Sequence, residues 1–367
     1  MKTALVHDYL NQRGGAERVF AHFATAWPEA PIYTTLYDAS AVGDLIPPNR
    51  VHTSFLQHFP LRDTLFRAYA PLYPRAIESL DLSAYDLIVS STTAWAKGVI
   101  ARPGATHVCY INTVSRFVFD EARYVGGFGP GALARPLIRR LADWDVRAAQ
   151  RPTRFIANSR NVADRIRRWY AREADVLPCP VDVDTFTIGP GAGDYYAVVS
   201  RLLPYKRIDL AIAACALADV PLHIIGTGPD ERRLKTLAAA TNTTFHGTVD
   251  DATRNAIVGN ARAAILPGEE DFGLVPLEAA AAGRPTIAYA AGGALETIVA
   301  GETGTFFHDP TPESLANVLR TFDPTAYDPT ELRAHAERFR PERFIERLRA
   351  IVGETLNARG TTVASEP

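Results

Sequence analysis

The sequence predicts an α/β protein made of two doubly wound domains, and three observations support this fold class. Short runs rich in β-branched and aromatic residues alternate with longer helical stretches from one end of the chain to the other. The runs are almost continuously apolar, which is typical of parallel strands covered by helices on both faces. The chain has 367 residues, long for one domain, and the alternation restarts near its middle.

The predicted strands fall into two sets. The first half contains TALVHDYL, APIYTTLY, DLIVSST, THVCYINT and TRFIANS, and the second half contains YYAVVSRL, PLHIIGTG, TTFHGTV, AAILPG and PTIAYAAGG. Residues 176–194 are rich in Pro and Gly and lack periodicity, which indicates a linker. A last helix is predicted at 341–360 and a disordered tail at 361–367.

Two Rossmann-like domains are therefore expected, at 1–178 and 179–340. Ligands of doubly wound sheets bind beyond the carboxyl ends of the strands. Two such domains facing a central cleft place strand-end loops of both sheets on it, so the residues after each strand are the candidates for chemistry.

Composition excludes several classes of protein. The net charge of −2 argues against nucleic-acid binding. No apolar run reaches the roughly 18 residues of a membrane span, and the N-terminus is too polar for a signal peptide, so the cytoplasm is the expected compartment. Cys109, Cys179 and Cys215 show no metal-ligand spacing, and we expect them to be buried free thiols.

Two glycines follow the first predicted strand, in HDYLNQRGGAERV. Gly14 and Gly15 precede a helical run, so backbone N–H groups there can approach an anion or a sugar without a side chain intervening. A tight turn that starts a helix explains the glycines equally well.

Two cations follow the first strand of the second half, in SRLLPYKR. Pro204 keeps this loop out of a helix, so Arg201 and Lys206 can converge on one anion, the first as a fork and the second as a point charge. A diphosphate suits that pair. The alternative is two solvated surface cations.

The loop after the next strand, GTGPDERRLKTL, is a poor dinucleotide motif. It contains Gly226 and Gly228, but Glu231 stands where the third glycine would be. A turn that leads into a helix capped by Asp230 explains the pattern, and a nicotinamide-dependent enzyme is disfavoured.

The stretch EEDFGLVPLEAAAAG, residues 269–283, is predicted as a loop followed by a helix with Pro276 in its first turn. Backbone N–H groups around Gly273 and Leu274 form a ready anion site. Glu270 and Glu278 can accept hydrogen bonds from sugar hydroxyls, so they fit the two sugar ends of a nucleotide-sugar diphosphate. Alternatively, these carboxylates only complement the helix dipole.

Together these motifs resemble the retaining glycosyltransferases of family 4, which have the GT-B fold of two facing Rossmann-like domains. The resemblance covers nearly the whole chain and rests on the E-x7-E element from Glu270 to Glu278, with SRLLPYKR, HDYLNQRGGAERV, IANSRNVADRI and AYAAGGALETI. It implies that domain 1–178 binds the acceptor and domain 179–340 the donor, and that the helix at 341–360 crosses back to the first domain.

The resemblance implies catalytic and donor-binding roles at matched positions. Arg201 and Lys206 would neutralise the donor diphosphate and stabilise the leaving group, so that no metal ion or other cofactor is needed. Glu278 would hold the ribose, and Glu270 would hold the transferred sugar. Backbone N–H groups that contact the phosphates and the sugar would belong to Phe272, Gly273 and Leu274.

Further implied positions lie in other strand-end loops. Gly15 would lie close to the diphosphate, and the loop at His246 and Gly247 would border the base. Retention implies that the departing phosphate takes the proton of the acceptor hydroxyl, so no side-chain base is required. The candidates on the acceptor side are Asp8, Tyr9, Arg116 and Asp120.

One departure from the family lies in the loop INTVSRF. Relatives have a histidine beside the transferred sugar at the position of Asn112, which we assign as catalytic. Asn can donate a hydrogen bond to a sugar hydroxyl but cannot carry a proton or a charge. The change alters sugar preference, slows the enzyme or marks a catalytically degenerate nucleotide-sugar-binding subunit.

Within the family, HDYLNQRGGAERV and GRPTIAYAAGGALETI most resemble bacterial mannosyltransferases of O-antigen and exopolysaccharide assembly. The resemblance implies a GDP-mannose donor and a glycan or lipid-linked saccharide acceptor in cell-surface polysaccharide biosynthesis. A UDP-sugar donor stays an alternative, because no residue distinguishes guanine from uracil. A nucleotide-sugar epimerase of the same architecture is another.

Two segments mix apolar residues with arginines, TSFLQHFPLRDTLFRAYAPLYPRAI and RPLIRRLADWDVRAAQRPTR. A basic amphipathic surface can lie on an anionic leaflet, which predicts peripheral contact with the inner face of the membrane. The alternative is ordinary core helices with solvated arginines.

Overall fold

The computed structural model describes residues 1–119, 135–189 and 193–363. These residues form two compact units. The first unit contains the described residues between Met1 and Pro178 together with those from Glu342 onward, and the second contains those between Cys179 and Pro341.

The described residues of the first unit form a parallel sheet of seven strands. They are β1 (Thr3–His7), β2 (Ile32–Thr34), β3 (Val51–Thr53), β4 (Leu87–Thr92), β5 (Thr106–Ile111), β6 (Arg154–Ala157) and β7 (Ala174–Val176). Their order is β3-β2-β1-β4-β5-β6-β7, so the winding reverses between β1 and β4. The central strands β4 and β5 are buried along their whole length, as expected for strands covered on both faces.

Helices pack on both faces of this sheet. They are α1 (Gly15–Ala26), α2 (Ala39–Val42), α3 (Arg62–Leu65), α4 (Tyr73–Glu78), α5 (Arg116–Phe119), α6 (Arg135–Ala148) and α7 (Arg160–Tyr170). On one face, Ile88 of β4 packs in the same core cluster as α4 and α6, and Cys109 of β5 packs with α7. On the other face, Phe23 of α1 contacts Tyr110 of β5, with 5.6 Å between ring centroids.

The second unit repeats this architecture with six described strands, all paired in parallel. They are β8 (Tyr196–Val199), β9 (Leu222–Ile225), β10 (Thr243–Gly247), β11 (Ala264–Leu266), β12 (Thr286–Tyr289) and β13 (Gly304–Phe307). The order β10-β9-β8-β11-β12-β13 places the reversal of winding between β8 and β11. The prediction of two Rossmann-like, doubly wound sheets is therefore confirmed.

The helices of the second unit are α8 (Ile208–Ala218), α9 (Glu231–Leu237), α10 (Asp251–Asn260), α11 (Leu274–Ala281), α12 (Ala294–Thr297), α13 (Pro312–Thr321) and α14 (Pro329–Glu337). The main core cluster joins Ile212 of α8 and Leu315 of α13 to Val198 and Ile224 of the central strands. Its residues are mostly aliphatic and fully buried, which gives the strand-end loops a rigid base.

The last helix, α15 (Pro341–Val363), packs on the first unit. Phe344 contacts Phe23 and Tyr110, each with 5.7 Å between ring centroids, and Arg349 donates hydrogen bonds to the carbonyl oxygen of Ala26. The predicted boundary of the tail was wrong, because residues 361–363 continue this helix. Residues 364–367 lie outside the described residues.

Three strands were not predicted, and all three lie at an edge of a sheet. β3, β7 and β13 each contain partly exposed residues, so the apolar run that marks a central strand is missing. As a result Val176, assigned to the linker, belongs to β7.

The predicted cap of α9 was also wrong. Asp230 precedes the helix, but its carboxylate accepts hydrogen bonds from the guanidinium of Arg233, at 2.7 and 2.6 Å, and from no backbone N–H group of the first turn.

The three cysteines are buried thiols outside any disulfide, as predicted. Among the helices described, none is both long and apolar enough to cross a membrane.

A buried histidine makes the stability of the first unit depend on pH. His107 on β5 is 1% exposed; its Nε2 lies 2.7 Å from Oγ of Ser90, and its Nδ1 has no partner among the described residues. Burial lowers the pKa of His107 to about 3, so the ring is neutral in the folded protein. In the unfolded chain the pKa is about 6.5, so below that pH the unfolded state binds the extra proton.

We therefore expect the free energy of unfolding to fall by about 1.4 kcal/mol per pH unit between pH 6.5 and 3 because of this one group. Urea denaturation of the parent and of His107→Gln at pH 7, 6 and 5 isolates its contribution as the difference between the two. The prediction is wrong if both proteins lose stability equally over this range.

Candidate active site

The strand-end loops at the reversal of winding in the second unit hold the predicted cations and acids. The loop after β8 carries Arg201 and Lys206, and the loop after β11 carries Glu270. Since β8 and β11 are neighbours in the sheet, these loops lie side by side at its carboxyl edge. This is the position at which doubly wound sheets bind ligands.

Lys206 and Glu270 form an ion pair across this edge, in which Nζ of Lys206 donates to Oε1 of Glu270. Their side chains are 18% and 17% exposed, so the pair is partly shielded from water and still open to a ligand. Lys206 ends a short 3-10 turn, Pro204–Lys206, although Pro204 was expected to keep this loop out of a helix. The pair joins a cation predicted to bind the diphosphate with an acid predicted to bind a sugar at one end of the ligand.

Arg201 is exposed, and its guanidinium makes no hydrogen bond or ion pair with any described residue. The convergence of Arg201 and Lys206 on one anion stays a prediction, and Lys206 is paired with Glu270 in this structure. The exposed guanidinium stays available to an incoming anion.

Unpaired backbone donors lie next to the ion pair, at the start of α11. Phe272, Gly273 and Leu274 donate no backbone hydrogen bond to any of the residues described. Gly273 precedes the helix with φ of 89°, a left-handed conformation that favours glycine, and no side chain caps the helix. These N–H groups therefore need an external acceptor, as an anion at a helix N-terminus would supply.

Two glycines after β12 contact the backbone of the Glu270 loop, and no role was predicted for them from the sequence. Gly293 donates its N–H to the carbonyl oxygen of Glu270 at 2.8 Å, and Gly292 forms a parallel bridge with Glu270. A Cβ on Gly293 would lie 2.3 Å from Cα of Phe272, and a Cβ on Gly292 would lie 2.3 Å from the Glu270 carbonyl oxygen. The glycine doublet in AYAAGG was the signal for this close approach.

The structure locates the remaining residues predicted to bind the donor substrate. Glu278 lies on the second turn of α11 and is 6% exposed. Gly247 ends β10 with φ of 66°, and its carbonyl oxygen accepts from the N–H of Gly226. Gly15 starts α1 in the first unit, where the carboxylate of Glu17 accepts from the N–H of Gly14 at 3.0 Å. Nothing in these contacts tests their binding roles, which stay predictions.

Asp8 has a different role from the predicted one. It follows β1, is 0% exposed and accepts hydrogen bonds from the loop after β4, at the reversal of winding of the first unit. The donors are the hydroxyls of Thr92 and Thr93 and the backbone N–H groups of Thr93, Ala94, Trp95 and Ala96, at 2.6 to 2.9 Å. Burial raises the pKa of the Asp8 carboxyl, but the neighbouring His7 and these hydrogen bonds together outweigh burial, so the pKa lies below its usual value. Asp8 therefore organises the loop and does not face an acceptor.

Asn112 is also more constrained than expected. It is 8% exposed, and its Nδ2 donates to Oγ of Ser91 at 2.9 Å and to the carbonyl oxygen of Thr92 at 3.3 Å. A carbonyl can only accept, so this contact fixes which end of the amide is the nitrogen. The expected donation to a sugar hydroxyl is therefore wrong for this conformation, and only Oδ1 is left to face a ligand.

The other acceptor-side candidates are only partly described. Tyr9 is partly exposed and packs edge-on against Phe66 at 5.3 Å between ring centroids. Arg116 is the first residue of α5. Asp120 lies outside the described residues.

The chain matches the family model described as Glycosyltransferase Family 4 over residues 13–185 and the model described as Glycosyl transferases group 1 over residues 190–323. HepE of Anabaena, solved in complex with UDP, superposes with a TM-score of 0.70 at 19% identity, covering 96% of this chain and 100% of that one. The fold is therefore that of the GT-B glycosyltransferases. The chain belongs to glycosyltransferase family 4.

The curated relatives match only part of this chain. The chain is 29% identical over 239 residues to the GDP-mannose-dependent alpha-(1-6)-phosphatidylinositol monomannoside mannosyltransferase of Mycolicibacterium smegmatis, a match that covers 50% of this chain and 62% of the relative. It is 29% identical over 198 residues to the D-inositol 3-phosphate glycosyltransferase of Arthrobacter, covering 46% and 47%. The chain thus spans about half the length of the curated relatives it matches.

Proposed function

We propose that this protein is a retaining glycosyltransferase that moves mannose from GDP-mannose to a glycan or lipid-linked saccharide in cell-surface polysaccharide biosynthesis. The observation that carries the proposal is the Lys206–Glu270 ion pair beside the unpaired N–H groups at the start of α11. A cation and backbone donors suit a diphosphate, and a carboxylate suits sugar hydroxyls.

In the proposed reaction the donor separates the ion pair. The diphosphate replaces Glu270 as the partner of Lys206, and Glu270 accepts hydrogen bonds from hydroxyls of the transferred sugar. When the bond from the anomeric carbon to the phosphate oxygen breaks, negative charge grows on the leaving diphosphate. Lys206 and Arg201 stabilise that charge without a metal ion.

The acceptor hydroxyl then attacks the anomeric carbon from the face that the diphosphate leaves, and its proton passes to the departing phosphate. The new glycosidic bond therefore has the anomeric configuration of the donor. No side chain of the first unit has to act as a base, which agrees with the engagement of Asp8 in six hydrogen bonds and with an uncharged Asn112.

Two alternatives have specific support. A UDP-sugar donor is favoured by the fold shared with HepE, which was solved with UDP. A nucleotide-sugar-binding subunit without catalysis is favoured by Asn112, whose amide nitrogen is engaged within the protein and which stands where the family resemblance implies a histidine. The mannosyltransferase relative that depends on GDP-mannose supports the first proposal instead.

Lys206→Ala is expected to weaken GDP binding by about tenfold to a hundredfold, because a charge-assisted hydrogen bond to the diphosphate contributes about 1.5–3 kcal/mol. Isothermal titration with GDP measures the change. Lys235→Ala is the matched control, since Lys235 on α9 is 54% exposed and forms a surface ion pair with Glu231. Equal affinity of the two variants for GDP would argue against the proposed diphosphate site.

The proposal includes peripheral contact of the first unit with an anionic membrane at its cytoplasmic face. Leu61 and Leu65 of the α3 region are 67% and 45% exposed, close in sequence to Arg62 and the exposed Arg67. Apolar side chains that insert and arginines that pair with anionic lipid act together in such surfaces. The other apolar residues of this segment, such as Phe66, are buried in the core, as the alternative expected.

The double variant Leu61→Asp/Leu65→Asp is expected to lose at least tenfold of its binding to phosphatidylglycerol vesicles in a flotation assay, and binding of the parent is expected to weaken with salt. Leu217→Asp on α8, where the side chain is 48% exposed, is the control. A parent protein that fails to bind these vesicles at any salt concentration would remove membrane contact from the proposal.

A further inference from the structure

A glycine pair after β9 has no place in the reaction described so far. Gly226 and Gly228 fit a dinucleotide motif poorly, and in the structure they lie against the loop after β8 that carries Arg201. A Cβ on Gly226 would lie 3.0 Å from the carbonyl carbon of Ser200 and closer still to its oxygen. A Cβ on Gly228 would lie 2.7 Å from both the nitrogen and the carbonyl carbon of Leu202. The two glycines therefore contact the backbone on either side of Arg201.

Backbone hydrogen bonds join the same two loops. The N–H of Leu202 donates to the carbonyl oxygen of Thr227 at 3.0 Å, and its own carbonyl oxygen accepts from the N–H of Asp230 at 3.1 Å. The N–H of Ser200 donates to the carbonyl oxygen of Ile225 at 3.0 Å. The pairing of β8 with β9 thus continues past the ends of both strands as far as Leu202.

The position of Arg201 depends on this backbone. Its side chain is exposed, and the guanidinium has no hydrogen bond or ion pair with another described residue. Lys206, by contrast, is also held through its side chain, by Glu270. The backbone from Ser200 to Leu202 is therefore what sets the point from which Arg201 reaches toward an anion.

The two glycines are required for different reasons. Gly226 has φ of 123°, a conformation that residues with a side chain rarely adopt, so its backbone angle alone calls for glycine. The φ of Gly228 lies outside that region, so an alanine there is opposed only by the close approach to Leu202. Gly228 therefore isolates the effect of the contact between the loops.

We propose that Gly228 is a positioning residue for the donor: because it has no side chain, the loop after β9 can hold Leu202 where Arg201 is directed at the diphosphate. This inference rests on the proposed function. Ordinary contacts of a Cβ begin near 3.4 Å, so an alanine at 228 requires Leu202 to move by at least about 0.7 Å. Arg201 is the adjacent residue and moves with it.

Gly304 offers a matched control in the same unit. It lies on β13, and a Cβ there would lie 3.0 Å from the carbonyl carbon of Thr286 and closer still to its oxygen. Thr286 begins β12, so this contact is at the amino ends of the strands, away from the loop that carries Arg201. Gly228→Ala and Gly304→Ala each press one methyl group against a backbone carbonyl, and only the first does so beside Arg201.

Isothermal titration with GDP and with UDP measures the effect, because the diphosphate is common to both. Gly228→Ala is expected to weaken binding of the nucleotide that the parent binds by about tenfold, and Gly304→Ala to keep the affinity within about twofold. Equal losses of affinity in the two variants would overturn the proposal, since they would reflect a general strain on the unit.

A double-mutant cycle tests whether Gly228 acts through Arg201. Arg201→Ala removes the guanidinium, so adding Gly228→Ala to it is expected to change the affinity by less than about twofold. A tenfold loss that persists in the Arg201→Ala background would overturn the proposal. So would an Arg201→Ala variant with the affinity of the parent.

Hydrogen exchange tests the contact between the loops without any ligand. In the parent, the amides of Leu202 and Asp230 are expected to be protected before nucleotide is added, and in Gly228→Ala they are expected to exchange at least about tenfold faster. Gly304→Ala is expected to leave both amides unchanged. Amides that become protected in the parent only when nucleotide binds would overturn the proposal even if Gly228→Ala fails to fold.

The two measurements also separate this inference from the proposed function. Faster exchange at Leu202 in Gly228→Ala, in a protein whose parent binds neither GDP nor UDP, would refute the proposed function and leave the contact between the loops standing. Nucleotide binding by the parent that Gly228→Ala leaves unchanged would refute the positioning role and leave the proposed function standing.

Discussion

Glu270→Ala is expected to lower the rate of sugar transfer by about a hundredfold to a thousandfold, the usual effect of removing one group that stabilises a transition state. The variant loses the carboxylate proposed to hold the transferred sugar. Glu270 then no longer competes with the diphosphate for Lys206, so nucleotide binding is expected to be spared or slightly tighter. Transfer kinetics and titration with GDP measure the two effects separately.

Glu313→Ala provides the control, since Glu313 is an exposed carboxylate on α13. It is expected to transfer sugar at the parent rate. If Glu270→Ala also did so, the proposed donor site would be wrong, because that site assigns the transferred sugar to this carboxylate.

Lys97→Met is expected to lower the free energy of unfolding of the first unit by about 3–5 kcal/mol, because it leaves the carboxylate of Asp145 buried without a counter-charge. Ser115 and Tyr170 still donate to that carboxylate, but neutral hydroxyls do not replace the charge. Urea denaturation followed by tryptophan fluorescence reports on this unit alone, since all four tryptophans of the chain lie in it.

The double variant Lys97→Met/Asp145→Asn is the control for this prediction. It removes both charges, so it is expected to recover at least half of the loss. A cost below about 1 kcal/mol for Lys97→Met, the value typical of an exposed ion pair, would contradict the prediction that Lys97 compensates a buried carboxylate.

The two reversals of winding use their acids differently. In the second unit, Lys206 and Glu270 form a partly exposed ion pair. In the first unit, Asp8 is fully buried and accepts six hydrogen bonds from Thr92 at the end of β4 and from the loop that follows it. The same topological position thus carries a partly exposed ion pair in one unit and a buried carboxylate that braces a loop in the other.

The sequence predicted the place of the site better than its contacts. Strand-end loops were identified because apolar strand patterns are strong, so Arg201, Lys206 and Glu270 were assigned to one edge of one sheet. The pairing of Lys206 with Glu270 could not be predicted, because it joins residues 64 positions apart whose distance depends on the packed loops.

The predicted roles of two polar residues were wrong because the sequence did not show that their side chains are buried. Asp8 was a candidate for the acceptor side, but the folded loop supplies four backbone N–H groups that bind and bury its carboxylate. Asn112 looked like a donor because its partners, Ser91 and the Thr92 carbonyl, belong to a neighbouring strand. The edge strands β3, β7 and β13 escaped notice because each has only three or four residues, some of them partly exposed, so no apolar run marks them.

The most direct test of the proposed function is nucleotide release across a panel of GDP- and UDP-sugars, with a bacterial membrane extract as the source of acceptors. The proposed function predicts selective release of GDP from GDP-mannose, with the mannose transferred in the anomeric configuration of the donor. Release of UDP from a UDP-sugar with no turnover of GDP-mannose would contradict the donor assignment. No release from any donor would contradict transfer itself.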